Sequence, residues 1–189
     1  MNEREWVLTV TERLLPELLT GSDLSLSAIA GRRLSYGTEV HEYSGSDRSD
    51  VGSVDYETDL MICENRPEGR WVPRVVIECK LGRITTHDAL TYAAKAVAHR
   101  HVHPYLRYGM LIGGREHYAI PGRAVRHGSE FDFIATWKAE VPDGEEWRIF
   151  VELIRDEVLA SCTIQELMRE SRLPGRKRYT VLQRKLCLG

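Results

Sequence analysis

The stretch Trp71-Val72-Pro73-Arg74-Val75-Val76-Ile77-Glu78-Cys79-Lys80-Leu81 decides how this chain is organised. Its centre, Val75-Val76-Ile77, is continuously apolar, as expected for a strand covered on both faces. Its end alternates instead. Residues two apart on a strand point to the same face, so Glu78 and Lys80 share one side and Cys79 faces the other. Thr85-Thr86-His87-Asp88 follows and reads as a helix start. Thr85 can cap it, with Asp88 three positions on as the reciprocal partner. The helix is rich in alanine, runs to about Val102 and is ended by Pro104.

Working back from this strand, residues 65–70 hold Pro67 and Gly69 and read as a hairpin turn. Residues 56–63 are the strand before it, and 34–43 the strand before that. Between those two lies a small, polar segment, 44–53, which is either a plain surface connection or a loop near a ligand. At the start of the chain, residues 3–20 carry Trp6, Val7, Val10, Leu14, Leu15, Leu18 and Leu19 at helical spacing. A second short helix is expected over 24–33.

Working forward, strands are expected at 108–112 and 131–137, separated by a loop-like stretch that contains Arg115, His117, Arg123, Arg126 and His127. Residues 145–170 read as mainly helical with a break near Cys162-Thr163. The order is helix, three strands in a meander, helix, strand, strand, helix. A helix between strands three and four implies a crossover. The fold class is therefore α/β, a mixed sheet of about five strands flanked by helices. The 189 residues read as one domain, with its core at about 34–137 and a helical, basic segment at 145–189.

Composition narrows the function classes. The apolar fraction is 42% and the charged fraction 29%, which are values of an ordinary globular protein. No apolar run approaches the length of a membrane span, and the charged start, Met1-Asn2-Glu3-Arg4-Glu5, has no signal-peptide core. Cys63, Cys79, Cys162 and Cys187 are far apart and show no zinc spacing. They read as reduced thiols, so a cytoplasmic protein is expected. A net charge of −2 argues against a purely electrostatic nucleic-acid binder. It does not exclude a nuclease, whose metal-site carboxylates lower the total. Basic residues are mostly arginine, 21 against 5 lysines. Arginine suits bidentate contacts to phosphate and guanine, although genome composition gives the same bias.

A short turn makes 56–63 and 71–81 antiparallel neighbours, which brings Asp59, at the start of the first, beside Glu78, at the end of the second. Two close carboxylates repel unless a cation sits between them. A hard divalent ion such as Mg²⁺ fits, with Mn²⁺ as a substitute, and the backbone carbonyl of Cys79 is a third oxygen within reach. Such an ion polarises a phosphate and lowers the pKa of a bound water. Lys80 would then orient the water or stabilise transition-state charge. The tripeptide alone is weak evidence. With 28 acids and 5 lysines, about 0.7 acid-x-Lys matches are expected by chance, and one occurs. Its placement carries the weight: it closes the most apolar strand, follows a hairpin from an aspartate-bearing strand, and precedes a capped helix.

With Asp59 in Tyr56-Glu57-Thr58-Asp59-Leu60-Met61-Ile62, and Glu78-Cys79-Lys80 after Val75-Val76-Ile77, the chain resembles the PD-(D/E)xK nuclease superfamily. That group includes many restriction endonucleases and Holliday-junction resolvases. The resemblance covers about residues 34–137 and the helix before them, with Thr58 where the superfamily often has proline. It implies that Asp59 and Glu78 bind Mg²⁺, that Lys80 aids catalysis, and that the reaction is phosphodiester hydrolysis. Some members add a glutamate from the first helix; Glu12 is the candidate and Glu39 the runner-up. On the helix after the motif, Asp88, Tyr92, Lys95 and His99 form one stripe. Asp88 and Tyr92 depart from the Gln-x-x-x-Tyr of some members. Thr86, His87, Tyr92 and above all Lys95 are candidates for contact with phosphate or with the metal ligands; a solvated helix face competes.

His99, His101 and His103 alternate near the helix end but lack the acids of a metal site. The Arg/His loop and the tail with Arg176, Lys177 and Arg178 are candidate DNA contacts, with solvated charge as the competing explanation. The expectation is a Mg²⁺-dependent endonuclease acting on double-stranded DNA, of the type II restriction or a related defence class. A homodimer would match a palindromic site. The alternatives are a junction-resolvase-like nuclease and a nuclease-like fold used only for DNA binding.

Overall fold

The computed structural model describes residues 1–45, 49–116 and 120–175. Helix α1, Glu3–Leu19, begins with an Asn2–Glu5 capping box and buries Trp6, Val7, Val10, Leu14 and Leu18 along one stripe. The chain then forms β1 (Leu26–Ala30), β2 (Arg33–Tyr43), β3 (Ser49–Glu57), β4 (Leu60–Asn65) and, after a 3₁₀ turn at Pro67–Gly69, β5 (Trp71–Leu81). Helix α2 (Thr86–Val102) leads to β6 (Arg107–Gly113), the short α3 (Gly122–His127), β7 (Phe133–Thr136) and the long α4 (Gly144–Glu170).

Five strands make the central sheet in the order β1-β4-β5-β6-β7. The β1–β4 and β4–β5 pairs are antiparallel, and β5–β6 and β6–β7 are parallel. The sheet is mixed because α2 carries the chain across between two parallel strands. Strand alternation splits the core in two. Leu60, Ile62, Val75, Ile77, Cys79 and Leu111 pack under α1 and α4 with Trp137, Trp147 and Phe150. Met61, Val76, Tyr108, Met110 and Ile112 pack under α2 with Ala89, Ala93 and Ala96. The alanines let α2 lie close to the sheet. Elsewhere, Gly109 has no room for a side chain, because a Cβ there would stand 2.2 Å from the Phe133 ring.

Several expectations are corrected. Residues 24–33 are not helical: β1 places Leu26, Ala28 and Ala30 at spacing two against the α1 core. The strand at 34–43 is not in the central sheet. As β2 it pairs with β3 in a separate two-stranded ribbon, and β3 takes up the second half of the expected loop at 44–53, with Val51 opposite Val40. The expected strand 56–63 is broken at Thr58-Asp59. Residues 26–65 are in effect one long hairpin bent at Gly31-Arg32 on one arm and Thr58-Asp59 on the other. The bend is pinned where Thr58 donates to the Arg32 carbonyl from both its backbone N–H (3.0 Å) and its hydroxyl (2.8 Å), and Gly31 N–H donates to the Asp59 carbonyl (3.2 Å). The inner half of the ribbon returns to the domain: Leu34 joins the α2 core, and Tyr36 stacks on Tyr56 at 3.8 Å, both beside His99. Part of the 113–129 stretch is helical, as α3. Helix α4 runs unbroken through Cys162-Thr163, where the Thr163 hydroxyl donates to the Leu159 carbonyl one turn back.

Candidate active site at the end of the central strand

The site forms where β5 runs out. Gly82, with a φ of +77° that favours glycine, turns the chain away from the sheet, and its N–H donates to the Gly113 carbonyl. Thr85 and Asp88 then make the expected capping box and start α2 alongside the strand end. On the other flank, the bend of the long hairpin ends the β4–β5 ladder one residue short of Asp59.

Asp59 is therefore next to Glu78: the β4–β5 register pairs Leu60 with Ile77 and stops there. The Asp59 Oδ2 accepts a 2.8 Å hydrogen bond from the Cys79 N–H. In a strand the N–H and C=O of one residue point to the same edge. The Cys79 carbonyl accordingly faces the Asp59 side, past the end of β4.

Glu78 is completely buried. Its Oε1 takes an ion pair from Lys95 Nζ at 2.7 Å and a hydrogen bond donated by the Tyr108 hydroxyl. Its Oε2 is buried, with no hydrogen-bond partner among the described residues. Burial pushes the Glu78 carboxyl up to about 7; Lys95 opposes this, and the neighbouring Asp59 charge reinforces it. Burial and the Glu78 charge hold the Tyr108 phenol protonated, well above its ordinary value.

Lys95 is thus the cation on Glu78, and its Nζ also donates to the Glu57 carbonyl at 3.2 Å. Tyr92 lies one turn earlier on α2, with Lys95 Nζ 5.6 Å from its ring centre. Burial, followed by the Asp59 and Glu78 charges, raises the Tyr92 phenol and keeps it neutral. Lys80 shares the Glu78 face of β5 but does not touch it. Its Nζ lies 3.5 Å from Glu3 Oε1 and 3.9 Å from Asp88 Oδ1. Burial would raise the Asp88 carboxyl, but two hydrogen bonds from Thr85 and the Lys80 charge outweigh it and lower it.

The glutamate that α1 brings here is Glu3, not Glu12. Glu3 Oε2 accepts the Leu81 N–H at 3.0 Å. Glu12 is exposed and lies nine residues further along the helix, about 13 Å at 1.5 Å per residue. Glu39 is exposed on the ribbon, 3.7 Å from His41. Thr86 and His87 are exposed on the first turn of α2. The histidine run does not converge. His99 is buried, with Nδ1 3.2 Å from the Ser35 carbonyl and its ring stacked on Tyr108, while His101 is exposed. Arg123, Arg126 and His127 lie on α3. His117 and Arg176, Lys177 and Arg178 lie outside the described residues.

Glu3, Tyr108 and Asp88 are the members not named as site residues from sequence. Asp88 carried a signal, its place in the capping box and in the Lys95 stripe. Glu3 and Tyr108 carried none, because which end of α1 meets β5, and which residue of β6 stands beside Glu78, follow from tertiary packing.

Four carboxylates (Glu3, Asp59, Glu78, Asp88) thus gather around two ammonium groups (Lys80, Lys95). The fully ionised set has a net charge of −2, which a divalent cation would balance. The buried, unpartnered Glu78 Oε2 costs free energy unless something occupies it. Asp59, Glu78 and the Cys79 carbonyl are hard oxygen donors of the kind Mg²⁺ takes, with water and substrate completing its shell. Among the described residues no group of three or more His, Cys, Asp or Glu side chains is arranged to hold a metal, so such an ion would depend on that backbone and water contribution. A cleft of about 270 Å³ opens beside Asp59, walled by Glu3, Arg4, Ala30 and Gly31. Cys63, Cys79 and Cys162 are free thiols, and no helix among the described residues is long and apolar enough to cross a membrane. Compared with known proteins, the chain matches no family model and no curated protein.

Proposed function

We propose that the chain is a Mg²⁺-dependent DNA endonuclease with a restriction-endonuclease-like core, hydrolysing phosphodiester bonds at the end of β5. The observation that carries this reading is Glu78: a buried carboxylate with one oxygen saturated by Lys95 and Tyr108 and the other without a partner among the described residues, beside Asp59. Asp59, Glu78 and the Cys79 carbonyl would hold the ion. When bound, it supplies Lewis-acid polarisation of the phosphate and a more acidic water.

The side chains do the rest. The Cys79 N–H fixes the Asp59 carboxylate, so the acid is oriented before any ligand arrives. Tyr108 and Lys95 clamp Glu78 Oε1, which directs Oε2 outward from the pair. Lys80 is about three-quarters covered and held at ion-pair rather than hydrogen-bond distance by Glu3 and Asp88. It can therefore move to a phosphate oxygen without breaking a tight contact, and there it offsets the charge that builds up in the transition state. The choice of DNA as substrate rests on the resemblance of Asp59 and Glu78-Cys79-Lys80 to the PD-(D/E)xK group, as does a homodimeric, restriction-type role.

The test is incubation of the purified protein with supercoiled plasmid in Mg²⁺ and in EDTA. Nicked or linear product in Mg²⁺ alone is expected. Failure to cut any plasmid, linear duplex or four-way junction at any divalent-ion concentration would overturn the reading.

A further inference from the structure

A second cavity, of about 880 Å³, lies at the opposite end of the sheet from the Glu78 cluster, between the start of β5 and the last turns of α4. Its origin is a break in the β4–β5 ladder. Ile62 pairs with Val75 and Cys63 with Pro73, so Arg74 stands opposite no residue. A bulge of this kind re-aims its side chain. Arg74 is only 1% exposed; its Nε donates to Glu64 Oε2 at 2.9 Å and Nη2 bonds the same oxygen, while Nη1 has no hydrogen-bond partner among the described residues. Glu64 Oε1 is taken by Arg66 at 2.8 Å.

The cavity therefore has a buried guanidinium whose donors are not all used by the described residues. Arg169 and Arg172 line it as well. Counting Arg66, Arg74, Arg169 and Arg172 against Glu64 and Glu166 leaves a net charge of +2 around the cavity. A phosphate monoester carries about −1.5 to −2 at neutral pH and presents the oxygens that guanidinium forks match. Leu24, Tyr105, Met168 and Leu173 give the same cavity an apolar and aromatic wall. Its volume exceeds what a bare anion needs and falls in the range of small-molecule sites. We infer that this cavity binds an organic phosphate, with the phosphoryl group on the arginines and the organic part against Tyr105, Met168 and the two leucines. The site is separate from the Glu78 cluster and does not depend on its chemistry.

Two sources share this chemistry, a free nucleotide and the phosphorylated end of a nucleic-acid strand. Calorimetry on the full chain in EDTA distinguishes them, using AMP, adenosine, inorganic phosphate and a 5′-phosphorylated trinucleotide as probes. AMP is expected to bind with a dissociation constant below about 1 mM, with adenosine and inorganic phosphate at least roughly tenfold weaker. Tighter binding of the trinucleotide than of AMP assigns the site to strand ends, and the reverse assigns it to free nucleotides; both support the site. Arg169→Glu with Arg172→Glu, two changes away from the buried core, should weaken AMP binding about tenfold or more. Lys80→Ala should leave it unchanged. No AMP binding by the wild type, equal binding of AMP and inorganic phosphate, or equal AMP binding by the charge-reversed variant would each overturn the inference, whatever the fate of the nuclease reading.

Discussion

Glu78→Gln should make the metal-free protein more stable at high pH, relative to the wild type, than at low pH. In the folded chain the Glu78 carboxyl sits near 7, against an ordinary 4.5, because the group is buried. The folded state therefore binds this proton more tightly than the unfolded state. The stability that the proton contributes is fully present below about pH 4.5 and is lost as pH rises through about 7. At 1.36 kcal/mol per pKa unit, the wild type loses about 2–3 kcal/mol from this group between pH 5 and pH 8. Glutamine fills the same space, accepts from Lys95 and Tyr108, and does not titrate. His99 titrates over part of the same range with the opposite sign, but equally in both proteins, so the difference between them isolates Glu78. The assay is urea unfolding in EDTA at pH 5, 6, 7 and 8. With a slope of roughly 2 kcal/mol per molar urea, the gap between the two midpoints should grow by about 1 M across that range. Added Mg²⁺ at pH 8 should close the gap by stabilising the wild type alone. A gap that does not change with pH would refute the argument, because Glu78 would then be ionised or neutral throughout.

Three further outcomes follow from the same geometry. Lys95→Met should destabilise the metal-free protein more at pH 8 than at pH 6, since at the lower pH Glu78 can take up a proton; adding Glu78→Gln should remove most of that pH dependence, read in the same unfolding assay. Burial lowers His99 to about 4, so the stability it contributes as a neutral ring is lost as pH falls from 6.5 through 4; His99→Gln should flatten this acid limb by about 2–3 kcal/mol, measured by denaturant unfolding in citrate–phosphate buffers. Gly109→Ala would push a methyl to 2.2 Å from the Phe133 ring, costing about 1–3 kcal/mol and lowering Tm by roughly 2–8 °C in calorimetry, with partial recovery on adding Phe133→Leu.

The bounds of β5 and α2 were legible because their signals are local: an apolar run closed by alternating polar residues, then a Thr85–Asp88 cap and Pro104. The nearness of Asp59 and Glu78 was legible because a short turn fixes register. The bend at Thr58 was not, because hydrogen bonds from a distant segment, Gly31-Arg32, impose it. That bend also diverts β2 and β3 into a ribbon, so the strand at 34–43 lies outside the central sheet that its local pattern predicts for it. Leu26, Ala28 and Ala30 did carry a period-two signal, but alanine and leucine favour helix, and the edge of the sheet overrode that preference. The rotation of α1 was readable from Trp6, Val7, Val10 and Leu14. Its position along its own axis was not, and Glu3 rather than Glu12 stands at the site. Glu78 and Lys80 share a face of β5 as strand alternation requires, yet the ammonium that meets Glu78 comes from α2, through contacts that alternation cannot reveal.

The most direct measurement is the first-order rate at which the purified protein converts supercoiled plasmid in Mg²⁺, compared with an Asp59→Asn variant shown to be folded by its unfolding curve. Asparagine keeps an oxygen for the Cys79 N–H but removes the charge that would help hold the ion. The rate in the variant is expected to be at least about a hundredfold lower, a transition-state loss of roughly 3 kcal/mol or more. Equal rates in the two proteins, or an undiminished rate in EDTA, would contradict it.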